Sequence, residues 1–182
     1  MSGFFDEVNV MIDLETLATR SDAAIVSIGA VKFQFTGGPI LDEFKINVDA
    51  KLCKDAGLYI DKDTLEWWSK QSKEARMAWM KNPVDITTAL NEFRKWYGVK
   101  SMHTWSHGAS FDQPIMQFAY DKVLKEKTPW FYYHGMCTRT VFNMTGFDQR
   151  SMRVQEGNHH DALEDAKAQA KYLIKVLGGE PF

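Results

Sequence analysis

The chain has 182 residues, enough to bury a sizeable core in one domain, and its apolar fraction of 45% is ordinary for a globular protein. A formal net charge of -2 excludes a global basic field of the kind that coats nucleic acid, though not an enzyme that meets phosphate through bound metal. The N-terminus has no basic leader, no apolar run is long enough to span a bilayer, and Cys53 and Cys137 lie far apart, so the expectation is a cytoplasmic protein with no membrane partner.

Val8 to Thr16 alternates Val8, Val10, Ile12 and Leu14 with Asn9, Met11, Asp13 and Glu15, which is a strand pattern. Residues two apart in a strand share a face, so Asp13 and Glu15 lie side by side. Two carboxylates at that spacing repel unless a cation lies between them, and a divalent metal suits them; the plainer reading has them end an edge strand in water. After a polar turn at Thr19–Asp22, Ala24 to Phe35 reads as a second strand, and Thr36-Gly37-Gly38-Pro39 as a turn. Phe44, Ile46 and Val48 mark a third strand, and three strands so closely connected should pair antiparallel.

The texture then becomes helical. Asp63-Thr64-Leu65-Glu66 fits a capping box, followed by Trp67 and Trp68. Ser72 to Met80 reads as a short helix before the Asn82-Pro83 break, and Ile86, Ala89, Leu90, Phe93 and Tyr97 as an amphipathic helix ended by Gly98. Met102 to His107 is a candidate strand. Ser110-Phe111-Asp112-Gln113 is a second capping box, opening a helix that carries Pro114 in its first turn and Ile115, Phe118, Ala119 and Val123 on one face. Trp130 to His134 is a candidate last strand, a helix begins near Thr138, and Gly146 to Asn158 is polar and irregular. The final helix runs from Ala162 to Leu177, with Asp161 as its cap, Glu164 completing the box and Gly178-Gly179 as its stop. Strands followed by helices alternating with strands predict a mixed sheet with helices on its faces.

Three acidic places stand out: Asp13 and Glu15 at the end of the first strand, Asp112 in the first turn of a helix that follows a strand, and His160 with Asp165 around the start of the last helix. His160 precedes the cap, so it is free to lean towards whatever Asp165 binds. The helix N-terminus favours an ionised carboxylate, more so at Asp112 than at Asp165.

On these residues the chain resembles the DEDDh-type 3′-5′ exonucleases of the DnaQ-like superfamily. Asp13, Glu15 and Thr16 match its first motif, Ala109-Ser110-Phe111-Asp112 its second, and His160 to Asp165 with Ala166 and Ala168 its third. The stretch Asp63 to Gln71 is similar to the subgroup of phage exonuclease A and RNase AS-type exoribonucleases. The resemblance implies a ribonuclease H-like α/β fold: a mixed five-stranded sheet, three antiparallel strands then two parallel ones, flanked by helices.

It also implies that Asp13, Glu15, Asp112 and Asp165 hold two Mg2+ or Mn2+ ions, whose charge balances the carboxylates. His160 would take a proton from the attacking water, and an imidazole titrates near the working pH. The tyrosine variant of the superfamily is disfavoured, because its tyrosine would fall at Asp161. Leu14 and Phe111 would flank a terminal base, or else pack in the core, and Thr16 would hold the terminal sugar. Trp67 and Trp68, adjacent on a helix, cannot both face the same way; one reads as core and the other as a stacking surface. His159 is the rival to His160, with spacing favouring His160. Arg139 and Arg150 could meet phosphate, although an isolated arginine is usually solvated.

The expected partner is a nucleic-acid 3′ end, DNA or RNA, single-stranded or frayed, released as 5′-mononucleotides. The alternatives are a non-catalytic nucleic-acid binder on the same fold and an endonuclease on RNA–DNA hybrids. A homodimer, common among the relatives, is an expectation that no single stretch carries.

Overall fold

The computed structural model describes residues 4–36, 40–148 and 160–177. Five strands, β1 (Asn9–Thr16), β2 (Ile25–Phe33), β3 (Ile40–Asn47), β4 (His103–Ser106) and β5 (Gly135–Cys137), form one sheet in the order β3-β2-β1-β4-β5. β1 to β3 pair antiparallel, whereas β4 and β5 extend the sheet parallel to β1. This is the mixed architecture expected from the sequence. The strand with Asp13 and Glu15 is therefore central, not an edge.

Seven α-helices are described: α1 (Ala50–Asp55), α2 (Lys62–Ser69), α3 (Lys73–Met80), α4 (Ile86–Tyr97), α5 (Asp112–Ala119), which a π-helical turn continues over Tyr120–Leu124, α6 (Thr138–Thr145) and α7 (Ala162–Val176). The period-two alternation of β1 explains how they divide. Val10, Ile12 and Leu14 point into a core shared with Trp68, Leu90, Phe93 and Ile115. Met11 points the other way, into a second core with Phe33, Trp105, Phe142, Ala166, Ala170 and Leu173. Burying each large aliphatic side chain is worth about 1.5–3 kcal/mol, so both faces anchor β1. Asp13 and Glu15 continue the Met11 face, beyond the point where the second core ends. Among the described residues no helix is long and apolar enough to cross a membrane.

Three local expectations are corrected. The cap of α2 is Asp61, not Asp63: its carboxylate accepts from the Thr64 N–H at 3.2 Å, while its own N–H donates to the Leu17 carbonyl, so the helix starts earlier. The box at Ser110 does not form. The cap position is Phe111, which offers no side-chain acceptor, and Gln113 instead donates to the carbonyls of Thr104 and Met136 at 3.0 and 2.8 Å, joining β4 to β5. The last strand is Gly135–Cys137; Tyr132–His134 is a 3-10 turn. Gln113 packs closely at the start of this strand: its Oε1 lies 2.4 Å from where a Cβ on Gly135 would stand, so a larger residue there would displace the Gln113 amide. The expected irregular loop falls largely on residues 149–159, outside the described residues, as do His159, Arg150 and the stop at Gly178-Gly179.

Candidate active site

β1 ends where α5 and α7 begin, and the acidic residues meet there. Asp112, only 3% exposed, accepts the Leu14 N–H at 3.1 Å, which fixes the start of α5 between Asp13 and Glu15. Asp165 and Glu15, each 8% exposed, come together with His160: one ligand atom from each lies within 4.8 Å of the others. The His160 N–H also donates to Asp165 Oδ2 at 3.3 Å.

α7 reaches this position because of Gly29. Gly29 faces Asp13 across β1 and β2, and a Cβ there would stand 2.1 Å from the Ala162 carbonyl carbon. The first turn of α7 thus rests on bare backbone of β2, beside Asp13. Asp161 caps that turn, accepting from Leu163 and Glu164 N–H groups, and is paired with Lys45 of β3. The chain enters through His160 in the left-handed region, at φ 70°, a conformation that costs a non-glycine residue about 1 kcal/mol or more. That turn carries the imidazole back over the site. Its ring meets Trp67 edge-on at 4.9 Å between centroids and Trp68 at 5.9 Å.

The electrostatics are those of carboxylates crowded together. Loss of hydration raises the Asp13 pKa well above the usual range, and the charges of Asp112, Asp165 and Glu15 raise it further; a 2.7 Å hydrogen bond from Gln169 Nε2 opposes them. Burial pushes Asp112 up to about 7, outweighing the Leu14 N–H and the positive charge of Arg139. The helix-start stabilisation expected for Asp112 is therefore overridden by dehydration. A divalent cation fits this donor set: hard oxygen ligands, one imidazole, and a repulsion that only positive charge relieves.

The other sequence candidates line the neighbouring cleft of about 520 Å3, bounded by Leu14, Thr16, Phe111, Trp67 and Trp68. Leu14 and Trp68 are core residues that show only an edge, at 4% and 3% exposure, whereas Trp67 is 43% exposed. Trp68 donates its indole N–H to the Thr16 carbonyl at 2.9 Å, and Thr16 donates its hydroxyl to the Ala18 carbonyl at 2.7 Å. So Trp68 is the core member of the pair and Trp67 the one that faces the cleft. Sequence reasoning missed Gln169 altogether. Its only signal was position, one helical turn beyond Asp165 on the same face.

The family model of the 3′-5′ exoribonuclease Rv2179c-like domain matches residues 8–177. The chain is similar to the exodeoxyribonuclease of Enterobacteria phage T4, 28% identical over 121 residues, covering 58% of this chain and 52% of the phage protein. It is also similar to the PolC-type DNA polymerase III of Bacillus subtilis, 25% identical, covering 94% of this chain and 12% of the polymerase. The chain thus spans about half the length of the first relative and a small part of the second.

Among solved structures, the nuclease domain of 3′hExo, a DEDDh family member bound to rAMP, superposes with a TM-score of 0.64 at 13% identity, covering 98% of this chain and 96% of that one. E. coli exonuclease I in complex with a dT13 oligonucleotide gives 0.66 at 11% identity, covering 96% and 42%. At such identities these likenesses establish the ribonuclease H-like fold.

Proposed function

Because the chain belongs to the family of the 3′-5′ exoribonuclease Rv2179c-like domain, we propose that it is a metal-dependent 3′-5′ exonuclease, acting on single-stranded or frayed 3′ ends of RNA or DNA and releasing 5′-mononucleotides. The observation that carries this reading is the convergence of Glu15, His160 and Asp165 donors within 4.8 Å, beside Asp13 and Asp112.

In this reading Asp13, Glu15, Asp112 and Asp165 hold two Mg2+ or Mn2+ ions. When bound, such ions supply Lewis-acid stabilisation of the charge that builds on the phosphodiester oxygens. His160 accepts the proton of the attacking water at an imidazole nitrogen, with its ring held by Trp67 and Trp68. Gln169 fixes the direction of the Asp13 carboxylate. Leu14, Phe111 and Trp67 offer apolar surface to the terminal base, and Thr16 and Trp68 brace the wall behind it.

RNA as substrate is supported by the family description, DNA by the phage relative. Matched single-stranded RNA and DNA oligomers with free 3′ ends, incubated with Mn2+ or Mg2+, test the proposal. The expected result is a ladder shortening from the 3′ end, 5′-mononucleotide products, and arrest by chelator. Asp13→Ala and Asp165→Ala proteins that melt cooperatively should make no ladder. Undiminished ladders in these variants would overturn the site assignment, binding without any ladder would mark a non-catalytic module, and equal cutting of circular substrate would mark an endonuclease.

A further inference from the structure

Arg139, at the start of α6, is exposed yet anchored. Its Nε donates to His107 Nε2 at 3.3 Å and its Nη2 to the His107 carbonyl at 3.2 Å. A guanidinium only donates, so His107 Nε2 accepts here, while its Nδ1 lies 3.0 Å from Thr138 Oγ1; that hydroxyl in turn donates to the Ser106 carbonyl. The guanidinium lies flat across Gly108: its Nη1, Cζ and Nη2 are 3.6, 3.7 and 3.7 Å from where a Cβ would stand. Nη1 hydrogen-bonds nothing among the described residues. The positive charge is near enough to Asp112 to lower its pKa. A pinned fork with an open edge, beside the carboxylate cluster but not neutralised within it, suits a phosphate.

Beside it a cleft of about 870 Å3 runs from Ala109 and Cys137 to Phe131 and Tyr133. Phe131 and Tyr133 are stacked, 5.3 Å apart and 18° from parallel, although 55% and 60% exposed. Their turn is held rigidly. The Phe131 N–H donates to Ser101 Oγ at 2.9 Å, the same hydroxyl lies 2.9 Å from His134 Nδ1, and the His134 N–H returns to the Phe131 carbonyl at 2.9 Å. Two acidic groups line the cleft, Asp121 and Glu126, of which Glu126 is paired with Arg94; Lys127 lines it as well.

Exposed, pre-ordered aromatic faces along a cleft whose near end, Ala109 and Cys137, adjoins Gly108 and Thr138 in the chain match a single strand, whose phosphates and bases alternate. We infer that Arg139 binds a phosphate upstream of the cleaved bond and that the Phe131–Tyr133 surface receives the bases that follow, which makes the preferred substrate a strand of several nucleotides and not a dinucleotide. The inference rests on the exonuclease reading above.

Two measurements test it. Binding of a fluorescein-labelled single-stranded 12-mer and of a 5′-mononucleotide is measured by anisotropy and calorimetry, with Ca2+ present to prevent turnover. Arg139→Gln and the double variant Phe131→Ala/Tyr133→Ala, each verified by thermal melting, should weaken 12-mer binding at least fivefold and mononucleotide binding less than twofold. Arg139→Lys should fall between, because it keeps the charge and loses the fork. Unchanged 12-mer affinity, equal loss for both ligands, or no binding by the unaltered protein would overturn the inference. So would a dimer seen by sedimentation that the double variant dissociates while strand binding stays intact; that outcome assigns the surface to a second copy of the chain. An unaltered protein that binds the 12-mer as described but never shortens it with Mn2+ or Mg2+ sinks the exonuclease reading and leaves the strand surface standing.

Discussion

Asp13 sits between forces of opposite sign. Burial and three neighbouring carboxylates raise its pKa, and the Gln169 amide lowers it. Asp112 is pushed in the same direction, to about 7. A carboxyl whose pKa is higher in the folded than in the unfolded chain binds its proton more tightly when folded. The stability it contributes is complete below the unfolded value, near 3.9, and is lost as pH rises through the folded value. In chelator, the melting temperature of the protein should therefore fall from pH 5 to pH 8. Asp112→Asn, which keeps an acceptor for the Leu14 N–H, should flatten that fall, and Asp13→Asn should raise the melting temperature at pH 8. Calorimetric melts of the three proteins decide it; identical pH slopes in all three would contradict the electrostatic account. In the proposed site Gln169 positions Asp13, so Gln169→Leu should lower the hydrolytic rate by about 10–100-fold, as loss of a partner behind a metal ligand commonly does. The accompanying readout is the Mn2+ concentration at half-maximal rate, which should rise; a slower enzyme with unchanged Mn2+ dependence would mean that the bond only supports packing.

At the level of elements, the amphipathic pattern carried the assignments that needed only one segment. β1, α4 and α7 were legible because alternation or three-and-four spacing is written along a single stretch. The misassignments arise where a distant group takes over. The Leu17 carbonyl holds Asp61 at the start of α2, and Gln113 spans two strands, bonding the Thr104 and Met136 carbonyls, instead of capping its own helix. Gly29 is the clearest case, an interior strand glycine whose meaning is a helix more than a hundred residues later. A methyl group there would overlap the Ala162 backbone, which has no rotamer to yield. Gly29→Ala should destabilise the protein by about 1–3 kcal/mol, the usual cost of overpacking, and should also lower activity by displacing His160 and Asp165 together. Denaturant unfolding and a rate measurement on the surviving folded fraction check both parts. Asp161→Ala is the milder perturbation of the same turn, with about 1 kcal/mol lost with the cap.

For the molecule as a whole, the acidic site is a convergence of three segments: the end of β1, the start of α5 and the start of α7. The sequence made the segments visible, since each carboxylate lies at a recognisable strand end or helix start; it did not show how they are fastened, because those bonds join residues far apart in the chain. Leu14 to Asp112 spans 98 residues, Asp13 to Gln169 spans 156, and Trp68 to Thr16 spans 52. A cation bound among these groups would act as a further tie across the same three segments, present only in the folded chain. Binding that favours the folded state stabilises it by RT ln(1 + [L]/Kd), about 2.7 kcal/mol at a hundred times Kd. The melting temperature should therefore climb with the logarithm of Mn2+ concentration, most steeply above pH 7, where protons compete least for Asp112. Asp165→Asn should suppress the climb, because it weakens the link to α7 while keeping an acceptor for the His160 N–H. A melting temperature that ignores Mn2+ in the unaltered protein, or follows it equally in Asp165→Asn, would mean that the carboxylates are neighbours without being a shared ligand set.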